Sequence, residues 1–266
     1  MKKIFIGICL LLVSNILNAQ IEQLTKLVAA DRAEGNQLGI AVSINGNYAV
    51  VGAADISEGN IPNSGQCAYV FERSADGNWK QIQKLIASDK ASRDNFGHSV
   101  SINGNYIIVG APGKDNDIGA AYIFKRNSSG NWVEEKKIVA PDRSTGDLFG
   151  TSVSITSVYG YGDGSYVLVG APGDADYGSM PKLAGAGTAY FFTNLNGTWE
   201  VLNKAGPDIS DRSAYAGFGT SVAISGTVAV IGAPGEKKDT TGSNPMDAAG
   251  AAYVFKRNLQ DRKSVV

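Results

Sequence analysis

One pattern is written into this 266-residue chain four times. Each copy opens with a Phe-Gly or Leu-Gly pair. It then runs through a short strand, a tight turn and a second strand ending in Val-Gly-Ala or Ile-Gly-Ala, and closes with a Tyr-x-Phe strand. The anchor glycines Gly39, Gly97, Gly150 and Gly219 recur at roughly 50 to 70 residue intervals, too long for a helical hairpin and suited to a four-stranded unit. Units of this kind bury their faces only against neighbours, so the four copies are expected to form one array.

The second copy shows the plan. Residues 98–102 alternate as a strand a, Asn103-Gly104 is the pair a tight hairpin turn prefers, and 106–109 is the returning strand b. Its unbroken Ile107-Ile108-Val109 run suits a strand covered on both faces. Pro112 has no N–H for a ladder and Gly113 tolerates turn dihedrals, so Gly-Ala-Pro-Gly ends the pairing. Strand c is expected over 119–124 and strand d over 132–140. Asn45-Gly46 and Ser225-Gly226 repeat the hairpin turn in the first and fourth copies.

Trp79, Trp132 and Trp199 open the d strands and are read as covers on the edge of the core in preference to sugar-stacking platforms. Phe96, Phe149 and Phe218, with Leu38 in the first copy, are read as wedges between adjacent units. The fold class that follows is all-β, a β-propeller of four-stranded antiparallel blades. Its repeats run over about 26–83, 84–136, 137–203 and 204–258, with a non-repeat tail at 259–266. Residues 21–29 resemble a d strand, since Lys26-Leu27-Val28-Ala29 matches Lys84-Leu85-Ile86-Ala87. That gives sixteen strands, with the N-terminal one expected to complete the last blade. The last copy stops after its c strand, which leaves open a truncated form of a longer, seven-bladed propeller.

Charged residues make up 18% of the chain, the formal net charge is −1, and no Lys/Arg cluster stands out. This argues against nucleic acid and anionic membranes as partners. Residues 1–19 read as a signal peptide: Lys2 and Lys3 precede an apolar stretch at 4–13, and Leu17-Asn18-Ala19 ends in the small residue a signal peptidase needs. That stretch is too short to span a bilayer. The expectation is a secreted or cell-surface protein, not membrane-spanning, and either a monomer or part of a longer chain. Cys9 leaves with the signal; Cys67, then alone, is read as a small buried hydrophobe.

Phe149-Gly150-Thr151-Ser152-Val153 leading to Val169-Gly170-Ala171-Pro172-Gly173, with near copies at 96–113 and 218–235, resembles the FG-GAP repeat family. The first copy is a degenerate version, Leu38-Gly39 with Gly52-Ala53-Ala54. The resemblance covers 21–258 and implies a β-propeller similar to the head of integrin α subunits. It also implies calcium in the a to b hairpin, through alternating Asp/Asn ending in Asp-Gly. Three of the hairpins here are two-residue turns, and the longer third one, 156–165, offers only Asp163 before Gly164. Calcium takes six to eight oxygens and usually several carboxylates, so no cofactor is assigned from this degenerate motif, and Asp163 is read first as a turn residue and second as a weak calcium ligand.

In such a blade the b to c and d to a connections share one face, and in integrins these loops form the ligand face. Here the b to c loops are long and acidic: Asp55 and Glu58, Asp115 and Asp117, Asp174 and Asp176, then Glu236, Asp239 and Asp247. Asp55, Asp115, Asp117, Asp174, Asp176 and Asp239 are the ligand-binding candidates. The d to a loops add Asp31, Asp89, Asp142 and Asp208, with Asn36, Asp94 and Asp147 two residues before the Gly-bearing pair. Those repeated aspartates are read first as loop caps.

His98 is the only histidine, in a strand position, and no Ser/His/Asp order or P-loop appears. Asn127-Ser128-Ser129 and Asn196-Gly197-Thr198 fit the glycosylation pattern but fall in hairpin turns. The expected function is non-enzymatic recognition of an extracellular protein or glycan. The alternatives are a glycosidase or lyase using loop carboxylates, and a fragment of a larger adhesin.

Overall fold

The computed structural model describes residues 22–32, 34–54, 66–158, 164–176, 182–195, 197–208, 211–238 and 246–257. It is all-β, four blades of a propeller set side by side. β1 (Leu38–Asn45), β2 (Tyr48–Ala53), β3 (Cys67–Arg73) and β4 (Trp79–Leu85) form the first antiparallel sheet, in that order. β5 (Ser99–Asn103), β6 (Tyr106–Ala111), β7 (Ala120–Arg126) and β8 (Trp132–Ile138) form the second, and β9 (Ser152–Val158), β10 (Gly164–Ala171), β11 (Thr188–Asn194) and β12 (Trp199–Ala205) the third. The fourth has three strands among the described residues: β13 (Ser221–Ser225), β14 (Val228–Ala233) and β15 (Ala251–Lys256).

Two expectations shift. The hairpin turns sit one residue later than the Asn-Gly reading, because Asn45 pairs with Tyr48, Asn103 with Tyr106 and Ser225 with Val228. The central residues are therefore Gly46-Asn47, Gly104-Asn105 and Gly226-Thr227, and only the glycines have positive φ. Gly at the first central position is the type II′ arrangement. The freed Asn45 side chain accepts the Gly104 N–H of the next blade at 3.0 Å.

Residues 22–29, expected as a closing strand, form no strand. Instead Leu27 and Ala29 pack on the first sheet with Val51, Tyr69, Phe71 and Trp79. The inner strands β1, β5, β9 and β13 stack in sequence, and among the described residues no comparable packing joins β13 back to β1.

The two halves of the repeated motif meet at each blade boundary. A Cβ placed on Gly110 would lie 2.0 Å from the Gly150 carbonyl oxygen, and one on Gly170 would lie 1.9 Å from that of Gly219. Only a glycine lets the backbones approach so closely. Beside each contact a fully buried phenylalanine wedges in and meets both rings of Tyr-x-Phe edge-on. Phe96 lies 5.4 Å from Tyr122 and 6.1 Å from Phe124, and Phe149 lies 5.5 Å from Tyr190 and 6.0 Å from Phe192.

Trp132 and Trp199 are buried against Tyr48 and Tyr106 of the preceding blade, so neither is an exposed platform. Serines tie the inner strands: the N–H groups of Ile102, Ile155 and Ile224 donate to Ser43, Ser101 and Ser154 Oγ. Cys67 is a buried free thiol, and burial pushes its pKa up. Asn127 spends its side-chain oxygen on the N–H groups of Ser129 and Asn131 within its turn.

Candidate functional site

The b to c and d to a loops lie against each other on one face. In the second blade the Asp117 carbonyl accepts the N–H groups of Gly146 and Leu148 at 3.1 and 2.9 Å, and the Ile118 carbonyl accepts that of Phe149. In the third, the carbonyls of Ala184, Gly185 and Ala186 accept from Tyr215, Gly217 and Phe218. These are backbone clamps between consecutive connections, and they fix the loop face on the sheets beneath it.

Most of its acidic residues are consumed by the framework. Asp31 accepts Tyr69 Oη at 2.7 Å and Lys84 Nζ at 2.5 Å. Asp89 accepts Tyr122 Oη at 2.6 Å and Lys137 Nζ at 2.8 Å, and Asp142 accepts Tyr190 Oη and Lys204 Nζ, both at 2.7 Å. Each staple joins a d to a aspartate to the c-strand tyrosine and d-strand lysine of the next blade. The lysine also sits 5.1 to 5.9 Å from the tyrosine ring centre. Burial would raise Asp89, but hydrogen bonds from Lys137 and Tyr122 and the charges of Lys137 and Lys114 outweigh it and hold the carboxyl down at about 2.

The capping expectation for these residues thus becomes a bond to side chains of the next blade. In the fourth copy the seven-residue spacing to Phe-Gly belongs to Asp211, not Asp208. Burial, then the charges of Glu236 and Asp211, push Tyr253 up to about 12. The lysines and tyrosines of the staples stand at fixed positions of the repeat, but their sequence carries no mark of the loop aspartates they meet.

A second layer lies deeper. The residue after Pro-Gly is Lys114, Asp174 or Glu236, and all three are buried. Lys114 Nζ bonds buried Asp94 at 2.9 Å and the Asp89 carbonyl at 2.5 Å. Asp174 accepts Thr188 Oγ1 and Tyr190 Oη at 2.7 Å and lies 2.9 Å from Lys204 Nζ. Beside it, burial pushes Asp147 up to about 6, with the Ser144 N–H opposing and the Asp174 charge reinforcing the shift. Glu236 Oε1 accepts Ser213 Oγ and the N–H groups of Lys237 and Lys238.

The sequence candidates therefore separate. Asp174 is interior, tied on both oxygens, since its Oδ1 also takes the Asp176 N–H at 2.7 Å. Asp176 pairs with Lys182 at 2.8 Å. Asp115 and Asp117 are exposed on the turn Lys114–Asp117, where Asp115, Asn116 and Asp117 have φ of 54°, 61° and 62°. Three successive left-handed residues are tolerable because Asp and Asn accept that conformation best after glycine. Asp115 has one cation within ion-pair reach, Lys137 at 3.7 Å. Asp55, Asp239 and Asp163 lie outside the described residues.

The described residues hold no grouping of three or more His, Cys, Asp or Glu set to bind a metal. The two-residue hairpins at Gly46, Gly104 and Gly226 carry no carboxylate, so calcium does not fit them. Burial lowers His98, whose Nδ1 makes no hydrogen bond.

A family model for the FG-GAP repeat matches residues 21–71, 79–124, 132–192 and 209–255. The chain belongs to the FG-GAP repeat family. No curated relative matches it. Each matched unit ends on the phenylalanine of Tyr-x-Phe, at Phe71, Phe124, Phe192 or Phe255, and the second and third begin on the d-strand tryptophans Trp79 and Trp132. The second and third units of the FG-GAP protein therefore straddle two blades, taking strand d from one and a, b and c from the next.

Proposed function

We propose that this protein is a secreted or cell-surface recognition module, non-enzymatic, that binds an extracellular protein or glycan through its b to c and d to a loop face. The observation that carries the reading is the Asp115-Asn116-Asp117 turn. Its backbone is clamped to the 146–148 loop while its side chains stand in solvent. Rigid loops presenting polar side chains are the usual form of a recognition surface. Export rests on the signal-like residues 1–19. Among the described residues no helix is long and apolar enough to cross a membrane.

The runner-up, a glycosidase or lyase, draws on Asp147 and Asp174, two neighbouring carboxyls of which one is raised to about 6. Both are almost sealed from solvent and Asp174 is tied to Lys204, which supports recognition over turnover. Arrays of immobilised glycans and of extracellular matrix proteins, probed with the purified protein, test the proposal. Binding is expected to fall at least about tenfold in Asp115→Asn/Asp117→Asn and to survive in Asp147→Asn. Turnover of an arrayed glycan that Asp147→Asn abolishes would overturn it in favour of the enzyme.

A further inference from the structure

Among the described residues the blade boundary is made three times, and the first and last sheets each present one uncovered face. On the incoming side, Val100 and Ile102 of β5 are 7% and 4% exposed beneath the first blade, and Val153 and Ile155 of β9 are 8% and 5% exposed beneath the second. The same positions of β1, Val42 and Ile44, are covered by no sheet among the described residues and are 71% and 66% exposed. On the outgoing side, Val70 and Ile123 are fully buried by the following blade, as are Val50, Ile108 and Leu168. Their counterparts in the last sheet, Val254 and Val230, are 71% and 41% exposed yet remain aliphatic. Exposed apolar surface of this kind marks an interaction site.

Among the described residues the fourth sheet has no outer strand beside β15, and 22–29, the d-like start of the first family unit, lie in no sheet. Lys26-Leu27-Val28-Ala29 repeats the Lys-Leu-Ile-Ala of the first d strand, whose Lys84 completes a staple with Asp31 and Tyr69. Closure within one chain would have to reshape three boundaries at which backbones already touch through Gly52, Gly110 and Gly170. A second copy uses the faces as they stand.

We propose that two copies of the chain pair head to tail, the outgoing face of β13, β14 and β15 in one seating on the β1 face of the other. The partner's residues 21–29 then enter as the missing fourth strand, with Lys26 brought to Tyr253. A head-to-tail contact that closes makes a ring, and two four-blade arcs give eight blades, the upper end of the usual range. The fourth boundary differs from the other three: Leu38 stands where Phe96, Phe149 and Phe218 wedge in. Ala223 stands where Ser43, Ser101 and Ser154 accept a backbone N–H, and Val228 stands where Tyr48 and Tyr106 meet a tryptophan. The pairing therefore rests on aliphatic contact and is reversible with dilution.

Light scattering on the purified protein is expected to give twice the chain mass at high concentration, falling towards one chain on dilution. Ile44→Asp and Val254→Asp alter exposed positions, so each keeps the circular dichroism of the parent, and each alone is expected to be monomeric. Mixed together they regain pairs, because an intact outgoing face on one meets an intact incoming face on the other. A parent that stays monomeric, a dimer that either variant leaves intact, or a mixture that stays monomeric would each overturn the proposal.

Discussion

In the second sheet the residue after Pro-Gly is Lys114, in the third it is Asp174, and both are buried. Lys114 meets Asp94, so the second sheet closes its charge with an internal pair. Asp174 lies beside Asp147, the counterpart of Asp94, and the two carboxyls draw on Lys204 and on a raised affinity of Asp147 for its proton. The positions are set by the repeat, while the sign of the charge is set by local neighbours. A buried charge needs a partner or a proton; the second sheet uses a partner and the third uses both.

Breaking what the two sheets share has the largest effect. Phe96→Ala and Phe149→Ala are each expected to cost about 4 kcal/mol, equally, because both rings are fully buried between Tyr and Phe at matching distances. Urea denaturation of the two variants checks this, and a clear inequality would show that the wedges are not equivalent. Next comes the difference itself. Lys114→Met leaves the Asp94 carboxylate buried without its cation, at a cost of about 3 kcal/mol near neutral pH.

The smallest of these effects is the pH dependence that Asp147 gives the third sheet. Asp147 holds its proton up to about 6 in the folded chain, against an ordinary value of 3.8. The folded state therefore binds more protons between those values. Its contribution is fully present below about 4 and is lost as pH rises through 6. Parent minus Asp147→Asn stability should fall by about 2 kcal/mol across that window, and a flat difference would place the proton elsewhere. Asp89, held down at about 2, acts in the opposite sense, its stabilisation being lost as pH falls below 4.

The blade plan was legible because it rests on strong local signals. Phe-Gly, Gly-Ala-Pro and Tyr-x-Phe specify a wedge, a close approach and a buried strand, and each took that role. The hairpin turns lie one residue later than Asn-Gly suggests, because that pair reads equally well as two turn residues or as a strand end followed by a turn glycine. Strand pairing settles the matter, and composition cannot. The N-terminal segment carries a d-strand sequence but packs on the first sheet through Leu27 and Ala29, since a strand forms only where an edge is within reach.

At the loop face the acidic candidates were visible, but not their division. Asp174 and Asp117 look alike in sequence. Only the fold shows that Lys204, Tyr190 and Thr188 converge on the first while the second stands in solvent.

That division is tested most directly by paired urea denaturation of Asp174→Asn and Asp117→Asn at one neutral pH. Asp174→Asn is expected to lose about 2 kcal/mol, because it leaves Lys204 and two hydroxyls short of a buried acceptor. Asp117→Asn keeps a side chain that suits the left-handed turn and should stay within about 0.5 kcal/mol of the parent. Equal losses, or a larger loss for Asp117→Asn, would contradict the separation of structural from ligand-facing carboxylates.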